Sequence, residues 1–151
     1  ARDSAGILDA STSGKIDIQG TDASEFLNRV YTNAWSKLAI GKCRYGLMLN
    51  EDGMVYDDGV TTRLDENHYI MTTTTGGAAT VLGKLEDYLQ TEWPELDVYL
   101  TSVTDHYATI SVCGPNSKKI ISKVIPNLDL SDEKFHICLL KIPKLTKSNV
   151  G

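Results

Sequence analysis

Two adjacent carboxylates, Asp57 and Asp58, stand inside a run that otherwise reads as a strand, Met54-Val55-Tyr56-Asp57-Asp58-Gly59-Val60. Aspartate is depleted in strands, so a pair of them needs a reason. A turn or bulge on a wet edge at Asp57-Asp58-Gly59 is one such reason. A working carboxylate is the other: held beside a second one and partly desolvated, it can accept a proton or oppose a cationic intermediate. Arg44 and Arg63 are close in sequence, but no basic residue interrupts the run itself.

Neighbouring residues of a strand face opposite sides, so only one of the two aspartates can address a given pocket. Asp58 then shares its face with Tyr56, Val60 and Thr62, and Asp57 shares its own with Val55 and Thr61. The preceding turn, Asn50-Glu51-Asp52-Gly53, sets the partner across the hairpin. A four-residue loop places Tyr45 opposite Asp58, and a three-residue loop places Gly46 there. Tyr45 would supply a stacking wall for a ligand, and Gly46 empty space.

Other chemistries find less support. Thr72-Thr73-Thr74-Thr75 before Gly76-Gly77 sits where a strand gives way to a helix, so its hydroxyls cap the helix or grip a ligand. Neither GxGxxG nor GxxxxGK[ST] occurs, which argues against nucleotide binding by this chain. His68, His106 and His136 are scattered with no ligand partner at helical spacing, so no metal site is expected. Cys43, Cys113 and Cys138 show no CxxC spacing, which fits a reducing cytoplasm. Trp35 and Trp93, at the ends of helical segments, read as packing residues.

The elements that must hold this hairpin follow from periodicity. Residues 15–19 alternate as a half-buried strand; Thr21 can cap a helix carrying Phe26, Leu27, Val30 and Tyr31 on one face. Residues 43–49, 54–64 and 68–74 read as an antiparallel three-strand meander. Val81, Leu82, Leu85, Tyr88 and Leu89 mark a long helix that Pro94 ends. Strands at 97–103 and 108–113 follow, then an amphipathic helix before Pro126 and a strand-like run at 135–142. The fold class is α+β: a mixed, mainly antiparallel sheet with helices packed on one side.

With 151 residues, 41% of them hydrophobic, the chain has the material of one domain. A net charge of -5 disfavours nucleic acid, whose phosphates need clustered Lys and Arg. No stretch reaches the roughly 20 apolar residues of a membrane span. The start at Ala1-Arg2 close to the apolar run Gly6-Ile7-Leu8, and the late strand-like run, suggest a domain truncated at both ends.

Several runs together resemble the folate-binding aminomethyltransferase family. They are Leu8 to Lys15, Gly20 to Leu27, Thr32-Asn33, the hairpin from Tyr45 through Gly53 to Asp57-Asp58, and Ala108 to Pro115. The glycine-cleavage branch would carry Ser-His-Met near Ser11 to Ser13, two glycines at Gly53-Met54 and asparagine at Thr73, and this chain departs from all three. Val30 to Leu38, Arg44 to Met48, Asp57 to Val60 and Met71 to Gly77 instead resemble the carboxyl-terminal folate domain of the heterotetrameric sarcosine oxidase alpha subunits.

That resemblance implies a partial folate-binding domain over 1–151, working with the other subunits of such a complex. Sarcosine is oxidised to an imine at a flavin on another subunit. Tetrahydrofolate captures the carbon, giving 5,10-methylenetetrahydrofolate and glycine. The resemblance makes Asp58 the essential carboxylate and Tyr45, Thr62 and Thr73 folate-pocket residues. FAD, FMN and NAD belong to the parent complex and are not bound by this chain. The alternatives are a non-catalytic folate-binding module and a stand-alone aminomethyltransferase. A later Gly-Tyr-Thr-Gly-Glu-like segment of the family is missing from residues 1–151, so the piece alone is expected to be inactive.

Overall fold

The computed structural model describes residues 1–126 together with Leu128 and Leu130, and the elements follow the hydropathic pattern closely. A short strand β1 (Gly6–Asp9) precedes β2 (Gly14–Gln19), in which Ile16 and Ile18 are buried and Gln19 is exposed. Gly20 then turns the chain at φ 135°, where an added Cβ would lie 2.0 Å from the Asp97 carbonyl oxygen. Helix α1 (Ala23–Val30) buries Phe26, Leu27 and Val30.

The start of α1 departs from the sequence expectation. Asp22, not Thr21, takes the N-cap position, and no side chain caps it. Thr21 instead donates its N–H and its hydroxyl to Asp97 Oδ2 at 3.2 and 3.0 Å. That partner is 76 residues away, beyond any local pattern.

The expected meander is present as β3 (Cys43–Leu49), β4 (Val55–Asp65) and β5 (His68–Thr73), followed by α2 (Ala78–Thr91) and β6 (Tyr99–Ser102). These strands form one sheet in the order β3-β4-β5-β2-β6, with every neighbouring pair antiparallel. Strand β7 (Ile110–Cys113) leads into α3 (Ser117–Val124) and pairs with β1 in a separate two-stranded ribbon. The sequence suggested a single sheet. The ribbon stands apart because the approach to β7 is tied to the loop after β1, through Ala10 N–H to Thr109 O at 2.8 Å and Thr109 N–H to Ser11 Oγ at 3.0 Å. The fold class is α+β, as expected. The strand-like run at 135–142 lies outside the described residues.

The core lies on one face of the five-stranded sheet. Phe26 and Leu27 of α1 and Val81 and Leu85 of α2 pack with Ile16, Ile18, Tyr69 and Met71. Each such side chain contributes about 1.5–3 kcal/mol of transfer free energy on burial. Trp35, fully buried, closes the β3 end of this layer and donates its indole N–H to Tyr31 O at 3.3 Å. Its ring fills the space above Gly46, where a Cβ would come within 2.6 Å of it. The room expected at Gly46 for a ligand is therefore taken by the core.

Candidate functional site

Register decides which way each aspartate points, and it matches neither loop length expected from sequence. Leu47 pairs with Asp58 and Met48 with Asp57, while Leu49 pairs with Val55. Five residues, 50–54, connect the strands, and Tyr56 is an extra residue in a β-bulge. The turn is closed by Asn50 N–H to Met54 O at 2.8 Å and Gly53 N–H to Asn50 O at 2.9 Å, with Gly53 at φ 81°. The bulge advances the pairing by one residue, so Tyr45 stands opposite Val60 and Gly46 opposite Gly59.

The two carboxylates consequently go to opposite faces. Asp57, paired with the buried Met48, turns to the helix-bearing face and is 4% exposed. It accepts a hydrogen bond from the Thr74 hydroxyl at 2.6 Å, and Thr74 Oγ1 in turn accepts the Gly77 N–H at 3.1 Å where α2 begins. A helix start favours a nearby anion by about 1 kcal/mol. No side chain caps α2, whose N-cap is Gly77; the Thr74 hydroxyl reaches only that residue's N–H and ties down one of the two aspartates.

Asp58 turns to the second face, with Leu47, Tyr45, Val60 and Thr62. Tyr45 and Asp58 are diagonal neighbours, close enough for long side chains to meet. The Tyr45 hydroxyl donates to Asp58 Oδ2 at 2.7 Å. That bond, followed by partial desolvation and the charges of Asp58 and Asp57, holds the Tyr45 phenol above the usual range. The Tyr45 side chain is still more than half exposed, so its ring is available to a flat ligand.

Thr62 lies four residues beyond Asp58 on the same face, roughly 13 Å away along the strand. It is buried, and its Oγ1 has no hydrogen-bond partner among the described residues. An unsatisfied buried hydroxyl costs about 1–3 kcal/mol, an open demand for a polar partner. Thr73 goes elsewhere: it pairs with Gly14, is buried on the helix-bearing face, and donates its hydroxyl to Thr74 O at 2.9 Å. The structure thus brings Tyr45 and Asp58 together, leaves Thr62 buried farther along the same face, and separates Thr73 from them by the thickness of the sheet.

No arginine from the neighbourhood answers Asp58. Arg44 donates to Ala34 O at 3.1 Å, and Arg63 donates to the carbonyls of Leu38 and Glu66 at 2.9 and 2.7 Å. Among the described residues the carboxylate is hydrogen-bonded by its tyrosine alone. On the other face, burial, then the charges of Asp57 and Asp58, keeps the Tyr31 phenol neutral to well above the ordinary range.

Two residues that the sequence marked only as members of longer runs shape the site as well. Thr72 Oγ1 accepts the Val60 N–H at 2.9 Å and donates to Val60 O at 3.2 Å, replacing the backbone ladder between β4 and β5 beside Asp58. Asn33 Nδ2 donates to Tyr45 O at 2.7 Å. A cleft of about 260 Å³ lies apart from this face, bounded by Arg29, Met48, Glu51, Tyr88 and Trp93. Asp58 does not line it. No His, Cys, Asp or Glu cluster among the described residues could hold a metal ion, and none of their helices is long and apolar enough to cross a membrane.

Comparison with known proteins bears on this geometry. Residues 1–148 match the family model of the GCVT N-terminal domain. Over 134 residues the chain is 60% identical to sarcosine oxidase subunit alpha of Corynebacterium sp. (strain U-96) and 54% identical to that of Rhizobium meliloti (strain 1021). Each alignment covers 89% of this chain and 14% of the relative, so the chain spans about one seventh of those relatives' length. The crystal structure of glycine cleavage system aminomethyltransferase T from Bartonella henselae superposes with a TM-score of 0.72 at 25% identity, covering 81% of this chain and 32% of that one.

Proposed function

Because this chain belongs to the GCVT N-terminal domain family, we propose that its second sheet face is the tetrahydrofolate-facing wall of a one-carbon transfer site, with Asp58 as the working carboxylate. The observation that carries this reading is the hydrogen-bonded Tyr45–Asp58 pair on an exposed part of that face. An exposed ring and a carboxylate acceptor fit a flat heterocycle that carries N–H donors. Bound tetrahydrofolate would supply the nucleophilic nitrogens that take up the one-carbon unit.

The chain's own part is positioning and charge. Asp58 presents negative charge where an approaching iminium carries positive charge, and an electrostatic partner fixed in advance stabilises that charge without reorganising. Tyr45 holds the carboxylate by its hydroxyl and offers its ring as a wall. Holding carbon donor and acceptor side by side makes the capture effectively intramolecular.

The relatives are named sarcosine oxidase subunit alpha, which favours a larger oxidoreductase assembly as the setting. There the imine from sarcosine would yield 5,10-methylenetetrahydrofolate and glycine, with FAD, FMN and NAD bound elsewhere in the assembly, in the cytoplasm. Residues 1–151 are then part of one folate domain whose remaining walls come from the rest of that protein. In this reading Thr73 supports the pocket from behind, on the far face of β5.

Affinity tests it. In the full-length protein within its assembly, Tyr45→Ala should weaken tetrahydrofolate binding about tenfold, the loss of one aromatic contact. Equilibrium dialysis reads this directly; an unchanged dissociation constant would remove Tyr45, and with it this face, from the folate site.

A further inference from the structure

The Thr32-Asn33 pair grips the backbone of the same tyrosine. Asn33 has φ 100°, the one positive value among non-glycine residues of the described chain. Backbone in that region costs on the order of 1–3 kcal/mol for a residue with a Cβ, and it persists only where surrounding contacts enforce it. Those contacts are visible. Thr32 N–H donates to Leu47 O at 2.8 Å, Leu47 N–H donates to Thr32 Oγ1 at 3.0 Å, and Asn33 Nδ2 donates to Tyr45 O at 2.7 Å.

These three bonds occupy the Tyr45 carbonyl and both backbone groups of Leu47 on the outer side of edge strand β3. In an antiparallel pair the N–H and C=O of one residue point to the same side. Tyr45 and Leu47 aim theirs away from β4, toward 32–33. Tyr45–Val60 and Leu47–Asp58 are then the non-hydrogen-bonded pairs, whose side chains approach most closely. The segment does more than cover an edge, because the residue it grips is the one whose hydroxyl holds Asp58.

We infer that Asn33 is a positioning residue: by clamping the Tyr45 carbonyl from a strained loop, it sets the Tyr45 ring so that its hydroxyl reaches Asp58. This rests on the proposed folate site for its consequence, though not for its geometry. Asn33 hydrogen-bonds the Tyr45 carbonyl and not Asp58. Its side-chain amide is the element that matters, since glycine would adopt the same backbone without it.

The test separates the clamp from the reaction. In the full-length protein, the Tyr45 phenol is titrated by ultraviolet difference between each protein and the same protein carrying Tyr45→Phe. In the parent its midpoint lies above an ordinary phenol, because the neutral hydroxyl is held by Asp58. Asn33→Gly should bring the midpoint back toward the ordinary value and lower one-carbon transfer about fivefold in kcat with little change in KM. Asn33→Ala serves as a second variant should the glycine loosen the loop, and circular dichroism checks that each is folded. An unmoved Tyr45 midpoint in a folded variant overturns the inference. A lowered midpoint with unchanged transfer upholds the clamp and counts instead against the proposed function.

Discussion

Replacing Asp58 by Asn in the full-length protein should cut the formation of methylenetetrahydrofolate by about a hundredfold or more while leaving tetrahydrofolate affinity within about threefold. The substitution keeps size, and the amide oxygen can still accept the Tyr45 hydroxyl now bonded to Oδ2. What is lost is the negative charge on a face where no arginine competes for it. A charge needed only when the carbon is cationic appears in the rate, not in the affinity. Single-turnover measurement of product, alongside equilibrium binding, separates the two. Unchanged product formation would favour a folate-holding module that carries out no transfer.

The second large effect falls on the fold behind that carboxylate. Gly59→Ala should destabilise the protein by about 3–5 kcal/mol, read as a large drop in the thermal midpoint. A Cβ at Gly59 would sit 1.8 Å from the Thr72 carbonyl oxygen and 2.7 Å from its carbon. Backbone cannot swing aside as a side-chain tip can. Either β4 and β5 separate there, or Val60 loses the Thr72 hydroxyl that replaces its ladder partners at 2.9 and 3.2 Å. Gly53→Asn is the contrasting control: nothing lies within 4 Å of a Cβ there, and asparagine tolerates the turn at φ 81°. Equal losses from both variants would contradict this steric account.

Periodicity revealed most of the elements because their burial is one-sided. Ile16 and Ile18 in β2, and Phe26, Leu27 and Val30 in α1, announce a core face by spacing alone. What sequence could not show is whatever depends on a partner far along the chain. Tyr56 is the bulged residue, and its ring lies under the Lys84 ammonium of α2 at 4.5 Å, a contact across 28 positions. That one inserted residue sent Asp57 inward and Asp58 outward in a register neither expected loop length produces. Thr21 was lost as a cap to Asp97 for the same reason.

The candidate site was legible in type more than in arrangement. Alternation correctly placed Asp58, Val60 and Thr62 on one face, because the bulge lies before them, but Tyr56, expected beside them, packs against the core under α2. Tyr45 reaches Asp58 diagonally rather than from directly opposite, a distinction that only register can make. Thr73 was grouped with them by resemblance, yet strand parity places it on the buried side beside Gly14. Asn33 had no local signal of strain, since its positive φ arises from the edge of β3 that it covers.

The most direct measurement is a crystal structure of the full-length protein with a bound tetrahydrofolate analogue. The pterin should lie against the Tyr45 ring, with a ring nitrogen or its amino group within hydrogen-bond distance of Asp58. A pterin seated in the cleft beside Tyr88 and Trp93, with Asp58 facing only solvent, would contradict that placement.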